Sequence, residues 1–414
     1  MNSDATGIPD KTGHSLRKGP LSGIVVLDIT RVVAGPYCAL LLADMGATVI
    51  KVENPGDPDY ARTFPPFAGA GKKSAFFTQY NRNKRGITLD LKAEEGKQLL
   101  KRLVRSAHVL IENFRPGTME KLGVGYDVLA TENPALVYTA ISGFGRTGPN
   151  ASRPAYDNTG QAAGGLWSMN GYADRPPVRV GTIIGDLSAS LYAAFGTVSA
   201  LREAEATGRG QVVDVSQQDS VLSLTENAVV RYTLENDLAS PLGNDHPFVR
   251  PYGQFPCKDG YVFFGGYTDK FWSIACAMFG TPEHATDPEI DTMEKRFDAA
   301  TYEARVKPIV EGWFAGRTKA ELEAMAGDRI PLSAIKNIGE VVNDPHIAAR
   351  DMIVEVPVDD QAVRMFGNPV KLSSLGAPEM AAAPDTGADN AEVFAELLGL
   401  DSEEVERLRA AGVI

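Results

Sequence analysis

The chain has 414 residues, of which 43% are hydrophobic and 23% charged, with a formal net charge of −12. That balance belongs to a water-borne protein with a sizeable core, long enough for two or three domains of about 150 residues. An acidic surface argues against nucleic acid and anionic membranes as partners, while leaving room for a local basic pocket. No apolar run approaches the ~18 residues of a membrane span.

The first twenty residues, MNSDATGIPDKTGHSLRKGP, lack the apolar core of a secretory signal. They read as a flexible leader, and the protein as cytoplasmic. Cys38, Cys257 and Cys276 form no CxxC pair, and His14, His108, His246, His284 and His346 are scattered. Neither a disulfide framework nor a metal is expected.

Ile24–Asp28 is a short apolar run ending in an acid, the pattern of a buried parallel strand. The following TRVVAGPYCALLLADMG predicts a helix. Pro36 suits its first turn, Leu40, Leu41 and Met45 share a face, and Gly46 suits the position just past its end. Ala47–Glu53 predicts a second strand, completing a βαβ half of a doubly wound sheet. Glu53 invites a dinucleotide reading, but the first turn holds Gly35 and no GxGxxG, so Glu53 reads as half of a surface pair. The alternation continues with strand Arg85–Leu91, helix Ala93–Ser106 (Leu99, Leu100, Leu103 and Val104 inward) and strand Val109–Ile111. The turn Asn113–Gly117, a helix from Met119 and strand Ala135–Ser142 follow. The predicted class is α/β, a parallel sheet with helices on both faces.

A Gly- and Pro-broken stretch, SGFGRTGPNASRPAYDNTGQAAGGLWSMNG, predicts a long functional loop and a short helix. Val178–Asp186 reads as extended. A helix then runs from Leu187 to about Glu205, with Leu187, Leu191, Phe195, Val198 and Leu201 on its core face. Asp186 thus stands at a strand-to-helix junction, after Gly185. Two readings stay open: an N-cap that needs no chemistry, or a functional carboxylate at a substrate site. For the second, Gly185 would let a substrate approach. Free N–H groups at the helix start would hold an oxyanion and keep the carboxylate ionised. Asp219–Leu242 reads as a long helix and linker, and Lys258–Gly260 as a hairpin turn. Helical text runs from Lys270 to about Ala326, and Ala381–Asn390 reads as a loop before the last helix.

Several stretches, in this order, resemble the family III CoA-transferases. They are LSGIVVLDITRVVAGPYCALLLADMGATVIKVENPGD, NRNKRGITLDLK, ENFRPGTMEKLG, ISGFGRTGP, AYDNTGQAAGGLWSMNG and VGTIIGDLSASLYAAFGTVSALREAEATGRGQVVDVS, then NDPHIAARDMIVEV and LLGLDSEEVERLRAAGVI. That group includes formyl-CoA, carnitine and benzylsuccinate CoA-transferases and is related to the α-methylacyl-CoA racemases. The resemblance implies a Rossmann-like CoA-binding domain from residues 21–220 and 340–414. A linker and a smaller inserted α+β domain would take 221–339, and two chains would interlock as a homodimer. It makes Asp186 the nucleophile of a CoA transfer through an aspartyl anhydride and an aspartyl-CoA thioester. CoA thioester and carboxylic acid are then the substrates, with no permanent cofactor. Val33, Ala34, Asn54, Leu89, Lys92, Asn113, Phe114 and Lys121 match CoA-contact positions. Val33 stands where Gln is frequent, Asn54 where some members have a basic residue, and Lys121 where Arg occurs.

Tyr156 and Asp157 match positions beside the nucleophile. The racemases carry a His-Asp pair there, and a phenol, with a reference pKa near 10, is a poor proton shuttle. A 2-methylacyl-CoA racemase or epimerase is therefore the alternative, with a non-catalytic CoA-binding protein as the third reading. Succinyl-CoA is a common donor in the family, which favours a dicarboxylyl-CoA. Arg31, Arg82, Arg146 and Arg179 are candidates for its distal carboxylate. His246 could reach the site or stabilise a turn. The glycine-run lid of the formate-oxalate type is missing; Gly265 and Gly266 are only a pair.

Overall fold

The computed structural model describes residues 18–376 and 379–414. The expected leader, 1–20, lies outside them except for its last three residues. Six short strands form one parallel sheet: β1 Val25–Asp28, β2 Thr48–Glu53, β3 Arg85–Thr88, β4 Val109–Glu112, β5 Val137–Ser142 and β6 Val212–Ser216. Their order is β3-β2-β1-β4-β5-β6. β1 to β4 are buried along their whole length, as parallel strands with helices on both faces should be. The strand order reverses between β1 and β4. The chain therefore leaves the two neighbouring carboxyl ends in opposite directions, and a crevice opens there.

Helix α1, Ala34–Asp44, fills one face of the sheet. It is not amphipathic: Leu40 and Leu42 are both buried, while Leu41 and Met45 are only partly so. The reason is a second layer. The long helix Ile184–Thr207 packs on it, with Ala189 and Ala193 joining Cys38, Ala39 and Val26 in one core. Gly46 follows the helix at φ +99°, the conformation its position calls for. On the other face α2, Glu94–Val104, buries Leu99, Leu100, Leu103 and Val104. They share a core with Val393 and Phe394 of Asn390–Leu398 and with Val405 and Leu408 of Ser402–Ala410. Both ends of the chain thus build one core.

Four expectations are corrected. Residues 178–183 form no strand, and Val178 instead donates its N–H to Asn170 O at 3.0 Å. Asp219–Leu242 is two helices, Gln217–Leu222 and Ala228–Glu235, interrupted where Glu226 takes φ +52°. Glu53 is no surface residue: it is 5% exposed, pairs with Arg62 at 2.6 Å and accepts the Asp59 N–H at 2.9 Å. The long helix turns the other way. Its buried side is Ser188, Ala189, Ser190, Ala193, Thr197, Ala200, Leu201 and Ala204. Leu191, Phe195 and Val198 are 50%, 74% and 42% exposed. Small residues win the inner side because the contact is close. Ser190 Oγ donates to Ala34 O at 2.7 Å, and the Thr139 and Thr197 hydroxyls meet at 2.6 Å.

The free edge of β3 is covered by the chain just before and at the start of Asn390–Leu398. Gly86 N donates to the Asp389 carboxylate at 2.6 Å and Thr88 N to Asn390 Oδ1 at 2.8 Å. Asp389 N returns a bond to Gly86 O at 2.9 Å. A Cβ on Gly86 would lie 2.7 Å from Pro384 Cβ, so this close approach needs glycine.

The chain divides into two compact units. The sheet unit takes in the residues up to Trp167, Arg179–Asp237 and Pro345–Ile414; the other takes Ser168–Val178 and Leu238–Asp344. In the second unit, antiparallel strands β7, Gly253–Cys257, and β8, Gly260–Phe264, turn at Lys258 and Asp259. β9, Leu332–Ala334, pairs with β8. Trp272, Phe264, Trp313 and Phe314 form its core.

Candidate active site

The crevice begins with the turn after β1. Val32 takes φ +68°, a strained conformation for a β-branched residue. Its N–H donates to both Asp59 carboxylate oxygens, at 3.0 and 3.2 Å. Asp59 is itself paired at 3.1 Å with the fully buried Lys51. Beside it Lys84, also fully buried, meets Asp28 at 2.7 Å, Pro36 O at 2.9 Å and Asn81 at 2.9 Å. Four buried charges thus hold the turn. Asn113, after β4, clamps it from the other side by accepting from Arg31 N at 3.0 Å and donating to Arg31 O at 2.8 Å. Val33 and Ala34 are thereby fixed in the wall of a cavity of about 210 Å³.

Asn113, Phe114, Tyr156, Asp186, Tyr60 and Gln217 also line that cavity, as does Arg31. Arg31 and Phe114 are shared with a second cavity of about 300 Å³, in whose wall stand Asn54, Leu89 and Lys92. The structure therefore brings together every matched position except Lys121 and Asp157. Lys121 is exposed on a one-turn helix, Thr118–Lys121, whose Thr118 alone reaches the second cavity. Asp157 opens helix α3, Asp157–Ala163, and lies behind the cavity wall. Its Oδ1 accepts Gly185 N at 2.8 Å and Asp186 N at 3.1 Å, and its Oδ2 accepts Gln161 Nε2 at 2.7 Å.

The structure revises four expectations about Asp186. It is not an N-cap: α4 is Ile184–Thr207, its cap residue is Ile183, and Asp186 sits inside the first turn. The N–H groups of the turn are not free, because Asp157 occupies them from another helix. Gly185 admits Asp157 rather than a substrate, since a Cβ there would lie 2.9 Å from Asp157 Oδ1. Nor does the helix start keep the carboxyl in the usual acid range. Burial, and then the neighbouring Asp157 charge, push Asp186 up to about 7, with a hydrogen bond from Gln217 working the other way.

Gln217 is the first residue of α5, Gln217–Leu222, directly after β6. Its Nε2 donates to Asp186 Oδ1 in a close contact. The sequence reading missed it and also missed Tyr60, which lines the same cavity as Tyr156. One signal existed for Gln217. It follows a parallel strand at the same carboxyl edge as Thr30, Asn113 and Gly143.

Of the four arginines, Arg31 alone lines the cavities, with its guanidinium on Asp57 Oδ2 at 3.0 Å and Asp57 O at 2.6 Å. Arg82 is buried against Asp44, and Arg146 pairs with Glu112 and Glu120. Arg179 is exposed. His246 belongs to the second unit, where its Nδ1 accepts Val249 N at 3.2 Å and its ring packs on Phe248 and Tyr252. No group of side chains able to hold a metal occurs among the described residues. Cys38, Cys257 and Cys276 are all free. No described helix is long and apolar enough to cross a membrane.

A buried carboxylate in a crevice, next to a slot with apolar and cationic walls, suits an acyl-CoA chemistry. Comparison with known proteins agrees. The model of CoA-transferase family III matches residues 21–390, and the chain belongs to that family. It is 36% identical over 399 residues to the succinyl-CoA:mesaconate CoA-transferase of Haloarcula hispanica, covering 94% of this chain and 99% of that one. It is 36% identical to the succinyl-CoA–D-citramalate CoA-transferase of Chloroflexus aurantiacus, covering 95% and 98%. Among solved structures, a CaiB/BaiF family protein from Brucella suis superposes with a TM-score of 0.80 at 32% identity, over 92% of this chain and 100% of that one.

Proposed function

We propose that the protein moves CoA from a dicarboxylyl-CoA, succinyl-CoA being the first candidate, to a carboxylic acid acceptor. The carrying observation is Asp186: a carboxylate on the cavity floor, raised to about 7, with one oxygen held by an amide. The two relatives' names support the donor class, and Arg31 supports it physically as the one candidate arginine in the cavity walls.

In the proposed mechanism the ionised Asp186 attacks the thioester carbonyl. The carbon–sulfur bond breaks, CoA leaves as thiolate, and a mixed anhydride forms. The thiolate attacks the aspartyl carbon, releasing the donor acid and leaving an aspartyl-CoA thioester. The acceptor carboxylate displaces CoA to form a second anhydride, and CoA attacks its acyl carbon to give the product and free Asp186. No proton is gained or lost overall, and the thioester energy is conserved. CoA is thus a substrate and nothing is bound permanently. The second cavity, with Asn54, Leu89 and Lys92, is the proposed seat of the CoA nucleotide, and Val33, Ala34 and Asn113 that of the pantetheine end. Asp157 takes a supporting role, fixing the first turn of α4. Tyr156, with Tyr60, is proposed to close over the reacting carbonyl.

The sheet unit is the proposed Rossmann-like CoA domain, with the expected insert at 221–339. The outward apolar side of α4 supports a homodimer of the interlocked kind. Three free cysteines support a cytoplasmic location.

Wild-type enzyme mixed with succinyl-CoA alone should acquire a hydroxylamine-sensitive adduct on the peptide containing Asp186. A panel of acids then names the acceptor. The cavity wall contains no histidine, which argues against α-proton exchange. A chiral 2-methylacyl-CoA in heavy water should take up no deuterium at its α-carbon, and rapid uptake would establish the epimerase reading instead.

A further inference from the structure

Resting on the transfer reading above, we infer that Gln217 is a second catalytic residue. It donates a hydrogen bond to the one Asp186 oxygen that stays on the aspartyl carbon through the cycle, and stabilises the negative charge that develops there.

The geometry carries this. Gln217 Nε2 binds Oδ1, so Oδ2 is the oxygen left to attack the donor thioester. When the CoA thiolate then attacks the aspartyl carbon, the bond to Oδ2 breaks and Oδ2 departs with the donor acid. Oδ1 remains as the carbonyl oxygen. It bears the charge of the tetrahedral intermediate here, and again when the acceptor displaces CoA. Those are the two steps in which the carbon under attack belongs to the enzyme. An amide N–H already in place on Oδ1 acts in both of them without reorganisation. The helix start does not offer a substitute, because the Gly185 and Asp186 N–H groups are spent on Asp157. Val33, in the same wall, has no hydrogen-bonding atom in its side chain.

Two independent features show the amide to be held for this purpose. Gln217 is 7% exposed, and its Oε1 has no hydrogen-bond partner among the described residues. Leaving a buried acceptor unpaired is costly and persists where the site gains from the orientation it enforces. A glycine also makes room for the side chain: a Cβ on Gly160 would lie 2.6 Å from Gln217 Cβ.

The test uses the whole enzyme, succinyl-CoA and two variants. Gln217→Met keeps the length and removes the donor. With an unchanged melting temperature, it should form the Asp186 adduct about 10²–10³-fold more slowly. Its KM for the donor should stay within threefold, and its acidic limb of kcat/KM should move to higher pH, because a bond favouring the charged carboxylate is gone. Gln217→Glu can donate only when protonated, so its rate should fall as the pH rises through the range where the wild-type rate climbs. A Met variant within threefold of wild type with an unmoved limb overturns the proposal. If that variant does not fold, the Glu variant decides, and a wild-type pH dependence there overturns it equally. Failure of wild type to form any adduct overturns the transfer reading itself, and the two failures are thereby distinguished.

Discussion

Asp186 departs furthest from what its sequence position suggests. It makes no cap, so Asp186→Asn should leave the melting temperature intact or raise it, while transfer falls by about 10⁴-fold or more, because an amide cannot attack a thioester. The pH dependence follows from burial. Since the folded pKa of about 7 exceeds the reference value of 3.8, the free enzyme holds the inactive acid below neutrality. The acidic limb of kcat/KM should therefore lie near pH 7 rather than 4. The same raised value makes ionisation costly to the fold. The group's cost grows as the pH rises from about 4 to 7 and is constant above. The gain in melting temperature of Asp186→Asn over wild type should accordingly be larger at pH 8 than at pH 4. Part of the cavity wall was legible in the sequence, through motif matches at Val33, Ala34, Asn113 and Phe114. The pKa was not, because it depends on Asp157 standing behind Gly185, and a contact between two helices leaves no local pattern. Gln217 was hidden for the same reason: alone it is one more polar residue after a strand.

At the level of elements, periodicity located the strands and helices well and oriented them poorly. Five of the six strands of the sheet were placed to within a few residues, since apolar runs between turns are a strong signal, whereas β6, Val212–Ser216, was not read as a strand. The apolar spacing of α4 also predicted its length, but the inner side went to Ala, Ser and Thr because α1 lies too close for Leu or Phe. The turn after β1 shows another effect that spacing cannot reveal. Lys84, Asp28, Lys51 and Asp59 are buried together, and removing one partner strands the others in a region of low polarity. Lys84→Ala should cost about 3–5 kcal/mol in denaturant unfolding, and Lys84→Ala with Asp28→Ala less than the sum of the two single changes. Exposed pairs such as Lys97 with Glu94 should change stability by less than about 1 kcal/mol when broken.

For the molecule as a whole, the outer side of α4 and its neighbours bears on the proposed homodimer. Leu191, Tyr192, Phe195 and Val198 are exposed together with Leu222, Leu224, Val229, Val230 and Tyr232. Exposed apolar residues in such numbers support a covering partner. Sedimentation should show a species of twice 44.3 kDa that persists on dilution to micromolar concentration. Phe195→Glu should lower the yield of that species. A stable, folded single chain would remove the support this surface gives to a homodimer.

The covered edge of β3 sets a clock on synthesis. Gly86 and the Asp389 that seals it are 303 residues apart. At about 5–20 residues per second, roughly 15–60 seconds pass between the ribosome making the one and making the other. For that interval a nascent chain carries an open strand edge, a template for pairing with any other chain nearby. β3 is four residues long, which limits the hazard without removing it. Slower elongation lengthens the interval, so codon choices or growth conditions that stall translation between residues 90 and 389 should lower the fraction of chains recovered in native form.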